Sequence, residues 1–516
     1  MLGFFKKKQP PAPIPQPAPA QPVFFPRYHA LVPFFREIRN FSAGVVTRLN
    51  EVFTGSFGTV NSDLMGQLEL MRARSRSLMR DNNHAKRFIQ MCATHIVGPN
   101  GFLLNVQGRR GGKLNQKTND LIEDSFYKWA RRGVCESTGH LSFVGVQELL
   151  VKTLVRDGEA IVKKIKGTAA GNDWDFALQV LAVDRLDTGL NKRLDNGGII
   201  KMGVELNAVG RPVAYHFKGS NPAEVYTGNA LQQKTERVPA DQILHIFLPL
   251  EPEQVRGVPW MHTAMETLQK LGTFHDAALI AANVGAAKMG FFTTAEGSSL
   301  NLADSQDSKE RLLTTVEAGV IDSLPAGTTF QSFDPTYPEA NYGPFVKSFL
   351  QAAASGLGVS YATLANDLEG VNYSSIRAGV LEERDNWMLL QNWFAEAFLI
   401  PVYEAWLDMA ILKGLILSDR GIPLSVRDRG EAMRHVWQGR RWAWVDPLKD
   451  IEATIAAINN GLMSRTEAAA QQGRDLYDVW AQLQKEQDDA KSLGLNFSLG
   501  SPVAQDTVEP QEDNTP

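Results

Sequence analysis

Cysteine is scarce in this chain: 516 residues carry two, Cys92 and Cys135. Two thiols so far apart supply neither a disulfide framework nor a cysteine-rich zinc site, so a reducing compartment is expected. Long apolar runs are also missing, and no membrane span is expected. The opening MLGFFKKKQPPAPIPQPAPAQP is too rich in proline and too weakly apolar for a secretory signal. The reading is a soluble, intracellular product. There is no excess of base either. Lys and Arg number 53 against 57 Asp and Glu, a formal net charge of -4, whereas a protein that wraps nucleic acid with its whole surface is basic. Any DNA handled here is not held by general phosphate neutralisation.

Signatures of chemistry are equally thin. No GxxxxGK[ST] loop occurs, so there is no cradle for nucleotide phosphates. The apolar run Ala177–Val183 ends in Asp184, like a metal-binding acid after a strand, but without a phosphate loop it reads as an ordinary strand end. His262 and Glu266 stand four apart on a predicted helix, as in some zinc pairs, with no second ligand motif to complete a site. Cys135 and His140 are near neighbours, yet no GxSxG-like elbow accompanies them. The 57 carboxylates single out no acid–base pair. The expectation is a protein that is no enzyme, with no cofactor and no metal.

What is present is a large foldable chain, 43% hydrophobic and 21% charged, long enough for more than one folded unit. Residues 1–30 form a Pro/Ala-rich tail suited to extended polyproline II, and 496–516 a polar, acidic one; both are expected to be disordered. Residues 62–98 have helical spacing through Leu64, Leu68, Met71, Leu78 and Ile89, and stop at Gly98-Pro99-Asn100-Gly101. From Arg72 onward this segment carries Arg72, Arg74, Arg76, Arg80, Lys86 and Arg87 against one acid, Asp81. It is either a solvated or intersubunit face or a contact to nucleic acid. Helices at about 114–132 and 143–157 precede strands at Ala160–Lys166, Phe176–Ala182, Gly203–Asn207, Val213–Lys218 and Gln242–Phe247. Such strands, separated by Asn/Gly/Asp turns, predict an α+β domain with mainly antiparallel pairing.

After Arg256-Gly257-Val258-Pro259 a helix is expected from Pro259 to about Lys288, with proline at its start. Strands at Gly319–Ser323 and Thr328–Phe333 and a helix at Pro344–Gly356 follow. The strongest periodicity runs from Ile376 to about Leu412. There Ile376, Val380, Trp387, Leu390, Phe394, Phe398, Val402, Trp406 and Met409 trace one apolar face. At 1.5 Å per residue this helix is about 55 Å long, and Pro401 should kink it near Phe398. Helices after Asp446-Pro447, after Ser464 with Glu467 in capping-box spacing, and at Leu476–Leu493 complete the chain.

Three stretches resemble the lambda-type family of phage portal proteins: ILHIFLPLEPEQVRGVPWMHTAMETLQKL (Ile243–Leu271), GVSYATLANDLEGVNYSSIRAG (Gly358–Gly379), and WQGRRWAWVDPLKDIEATIAAINNGLMSRTEAAAQQGRD from Trp437. RARSRSLMRDNNHAKRFIQMCATHIVGPNG adds a fourth. Together they span roughly residues 40–495 in order. The resemblance implies a portal fold of wing, stem, clip and crown with a long kinked helix, assembled as a ring of about twelve copies around a central channel. It places the wing at 31–258, a stem helix at 259–288, the clip at 289–339 and a returning stem helix at 340–362. A tunnel loop would occupy 363–374, the long wing helix and its connection 375–436, and a helical crown 437–495. Asp367, Leu368, Glu369, Gly370, Val371, Asn372 and Tyr373 would line the channel.

The implied partners are double-stranded DNA, the terminase large subunit, the major capsid or scaffold protein and a head–tail connector or adaptor, with no membrane. The implied location is a capsid vertex of the virion, reached from the host cytoplasm. A non-enzymatic capsid scaffold or head-completion protein is the alternative.

Overall fold

The structure, a computed structural model, describes residues 58–110, 113–219, 235–286, 290–294, 328–332, 339–367, 369, 373–418, 420–442, 447–472 and 474–495. The tails expected at 1–30 and 496–516, the strand expected at Gly319–Ser323 and most of the segment 289–339 lie outside these residues.

The expected 62–98 helix is two helices, Val60–Asp81 and Asn83–Ile96. Asn82 separates them with an extended backbone, and its side chain accepts hydrogen bonds from the N–H groups of His84 and Ala85, both 3.0 Å. A short amide that caps a new helix competes with continuing the old one. Helices Gln116–Trp129 and Phe143–Asp157 follow. Ser142 caps the second, which ends at Gly158 with φ 85°, a left-handed residue that glycine adopts without strain.

Gly158 delivers the chain into the strand Glu159–Lys166, the centre of a three-stranded antiparallel sheet. It pairs with Ile243–Phe247 on one side and Phe176–Leu181 on the other. A separate five-stranded antiparallel meander contains Lys192–Arg193, Ile199–Lys201, Val204–Leu206, Pro212–Phe217 and Glu236–Pro239. The strand Leu103–Val106 pairs with His435–Gln438, in the register Leu103↔Gln438 to Val106↔His435. The mixed α+β class is what the alternating strands and helical periods predict.

The helix expected from Pro259 begins at Met265 and runs to Ala286; Lys288 lies outside the described residues. The Trp260 backbone N–H donates to the Val155 carbonyl at 3.1 Å, which holds the chain in turns before the helix can start. Phe274 stacks on Tyr342, with ring centroids 5.6 Å apart, and so joins this helix to the helix Glu339–Leu357. Between the two, Gly290–Thr294 and Thr328–Ser332 form an antiparallel ribbon.

The long helix starts at Tyr373, three residues earlier than its spacing predicts. It runs α-helical to Phe394, becomes a π-helix over Ala395–Leu399, and continues as Ile400–Leu412. The widened turn sits where Pro401 was expected to bend the helix. Proline has no N–H to return, and the ladder ahead of it loosens. Trp387, Phe394, Phe398, Val402 and Trp406 are all buried. They pack into a core with Phe126, Trp129 and Phe143; Phe126 meets Trp406 edge-on at 5.0 Å.

Near the C-terminus, Ser464 and Glu467 form the expected reciprocal capping box on the helix Arg465–Gln471. Ser464→Ala is expected to cost about 1 kcal/mol. Hydrogen exchange should show this as faster exchange of amides in 465–471 with the sheet amides unchanged.

Candidate functional site

Among the described residues, two of the places that gather polar chemistry bear on the expected site and on the fold that holds it. The first lies between the short helix Tyr361–Ala365 and the long helix. Ser360 caps the short helix, and Asn366 ends it in the left-handed region at φ 55°. The Asp367 N–H then reaches back to the Ala362 carbonyl at 3.1 Å. Its carboxylate accepts the Tyr361 hydroxyl at 2.8 Å and the Glu369 N–H at 3.0 Å. Lys347 of the Glu339–Leu357 helix sits 5.5 Å over the Tyr361 ring. The Tyr361 hydroxyl, the Glu369 N–H and the nearby Lys347 charge hold the Asp367 carboxyl below its usual value. Glu369 is exposed.

Of the residues expected to line a channel, Leu368, Gly370, Val371 and Asn372 lie outside the described residues. Tyr373 is the first residue of the long helix rather than a loop member. Thr363 to Ala365, expected in the loop, belong to the short helix.

The second place is a buried charge network that sequence reasoning missed. Glu159 is fully buried, at 0% exposure. It accepts from the Arg256 guanidinium at 2.6 and 3.0 Å, from the Gly257 N–H at 2.9 Å and pairs with Arg72 at 2.8 Å. His245 Nε2 lies 3.0 Å from its other oxygen. Burial pushes the Glu159 carboxyl up, but Arg256, Arg72 and His245 outweigh burial and hold it well below its usual value. Arg256 also donates to the Met202 carbonyl at 2.6 Å, and Met202 has a left-handed φ of 47°.

A flanking layer joins the same helix to the sheet. Arg76 bridges Asp157 at 2.7 Å and Asp184 at 2.6 and 3.1 Å. Asp184 is therefore an ion-pair partner after its strand, in agreement with the ordinary reading of that strand end. The basic segment is not one uniform face: Arg72 is buried and Arg76 half-buried in this network, while Arg74, Arg80, Lys86 and Arg87 are exposed.

The other candidates take up structural roles. Cys135 is buried, its Sγ 3.6 Å from the Ala130 carbonyl and 3.8 Å from that of Leu141, and burial pushes its thiol up to about 12. A thiol so protonated is a poor nucleophile. His262 Nδ1 contacts the Pro259 carbonyl at 3.0 Å, and Glu266 pairs with Lys270 at 2.7 Å. Among the described residues no group of three metal-ligating side chains comes together, and no helix is long and apolar enough to cross a membrane.

Comparison with known proteins sets these features in context. A family model described as phage portal protein, lambda family, matches residues 47–391. The probable portal protein of Halomonas phage phiHAP-1 is 34% identical over 486 residues, which is 92% of each chain. Portal protein B of Escherichia phage lambda is 22% identical over 505 residues, covering 88% of this chain and 91% of its own. Among solved structures, a chain from the neck of a native GTA particle with C12 symmetry aligns with a TM-score of 0.41 at 13% identity. That alignment covers 78% of this chain and 93% of the other.

Proposed function

The chain belongs to the lambda family of phage portal proteins, and we propose that about twelve copies of it close into a ring whose central channel passes double-stranded DNA at one capsid vertex. The observation that carries this reading is the near-full-length similarity to a portal protein, at 34% identity. A ring of this kind needs one heterologous interface repeated until the rotation closes. Leu279 and Ile280 (each 62% exposed), Leu389 and Trp480 offer apolar surface for it. The formal charge of -4 suits a conduit, because a wall that gripped phosphates would slow sliding DNA.

In this reading residues 31–258 and the long helix form the wing. The helices Met265–Ala286 and Glu339–Leu357 form a two-way stem around a clip at 289–339, and 437–495 form the crown. The chain between the short and long helices, Asp367 to Asn372, is the tunnel loop. The clip docks the terminase large subunit and later the head–tail connector, while the wing meets the major capsid or scaffold protein. The subunit is made in the host cytoplasm and ends in the virion.

Purified protein is expected to give closed rings with a central hole in negative stain and a native mass near twelve subunits. Monomers or dimers under every assembly condition would overturn the ring and favour a capsid scaffold or head-completion role.

A further inference from the structure

We propose that Asp367 is a positioning residue that fixes the direction in which the tunnel loop leaves the stem, and that Glu369 alone of the two acids presents its charge to DNA. This rests on the reading of that segment as the channel loop.

The two carboxylates differ in what they touch. Asp367 uses one oxygen on the Tyr361 hydroxyl at 2.8 Å and the other on the Glu369 N–H at 3.0 Å. Its own N–H is committed to the Ala362 carbonyl at 3.1 Å. These bonds close a tight turn through Asn366, at φ 55°, and tie the start of the loop to the last helix before it. Tyr361 in turn lies under Lys347, so the anchor reaches the returning stem helix. Asp367 keeps its charge, but that charge is pinned in place on both oxygens and opposed by the nearby Lys347 cation, so its loss changes geometry before it changes the field at the channel. Glu369 is exposed, and among the described residues its carboxylate meets no partner. At equal formal charge, the acid at 367 holds and the acid at 369 faces outward.

The test separates geometry from charge. Asn at 367 keeps an oxygen for the Glu369 N–H and offers an amide N–H to the Tyr361 hydroxyl, which accepts as well as donates. It therefore removes the charge and keeps both contacts. In assembled rings, packaging and retention of duplex DNA are measured at low and high salt, with native mass confirming assembly. Asp367→Ala and Tyr361→Phe are expected to lower retained DNA by about tenfold, equally at both salts, for loss of one or two hydrogen bonds. Asp367→Asn should stay within about threefold of the parent for the same reason. Glu369→Lys should impair packaging or retention at low salt and recover as salt rises, because screening shortens the reach of an exposed charge.

The inference is overturned if Asp367→Asn falls as far as Asp367→Ala and salt relieves both, which would make Asp367 a charge in the channel. It is overturned too if Asp367→Ala and Tyr361→Phe both package normally. A silent Glu369→Lys at low salt would instead overturn the channel reading of the loop, and this inference with it.

Discussion

Arg256→Ala is expected to destabilise the folded chain by about 3–5 kcal/mol, the cost of breaking a buried ion pair from one side. Arg256 has no exposed surface and grips both oxygens of Glu159, itself fully buried. Without it Arg72, His245 and the Gly257 N–H remain, but the largest cationic influence on the carboxylate is gone. The Met202 carbonyl loses its partner as well.

The pH dependence has a definite sign. The folded Glu159 carboxyl lies below its usual value, so its contribution to stability is complete above the unfolded carboxylate range and is lost as pH falls through the lower folded value. Arg256→Ala raises that folded value, so acid unfolding should begin at a higher pH. Arg256→Lys, which keeps the charge but not the planar fork, should fall between the two. Denaturant melts across pH check all three. A variant within about 1 kcal/mol of the parent, with its acid limb unmoved, would show that the network does not hold the fold.

Gly257→Ala should be more damaging still. A Cβ at 257 would lie 2.1 Å from the Gly158 carbonyl oxygen, and one at 158 would lie 2.2 Å from the Val258 carbonyl carbon. Both obstacles are backbone, with no flexible side chain to yield. At Gly158 the left-handed φ of 85° adds strain for any other residue. Two backbones cross here without side chains between them, just where the chain turns toward the helix Met265–Ala286. Either substitution should cost more than about 4 kcal/mol, read as loss of soluble protein and rapid proteolysis. Gly66→Ala is the control, since nothing lies within 4 Å of its Cβ position on an exposed helix surface; it should stabilise slightly, by about 0.4–1 kcal/mol. Should Gly257→Ala melt within a few degrees of the control, the crossing is less rigid than its distances imply.

Local rules explain which elements could be read in advance. The helix Phe143–Asp157 carries its own serine cap and glycine stop, and the capping box at Ser464 is written in four residues. The strands Glu159–Lys166, Phe176–Leu181, Val204–Leu206, Pro212–Phe217 and Ile243–Phe247 announce themselves through turn residues and branched side chains, whereas the shorter Lys192–Arg193, Ile199–Lys201 and Glu236–Pro239 do not. The break at Asn82 is invisible to spacing because Leu78 and Ile89 stay in phase across it; only the side-chain cap reveals it. The late start at Met265 depends on a hydrogen bond from Trp260 to Val155, which no local pattern contains. Arg72 reads as one more surface charge until the distant Glu159 is brought against it. At the loop, the anchoring role of Asp367 had a signal, since aspartate side chains tend to bond the N–H two residues on; its tyrosine partner needed the fold.

The pairing of Leu103–Val106 with His435–Gln438 also sets a clock on synthesis. The first strand leaves the ribosome roughly 330 residues before its partner. At about 5–20 residues per second it waits roughly 15–65 s for completion. Throughout that interval one flank of the aromatic core lacks its last strand. A chain cut short before His435 can therefore never close that flank, and the strand His435–Gln438 becomes a checkpoint on the rest.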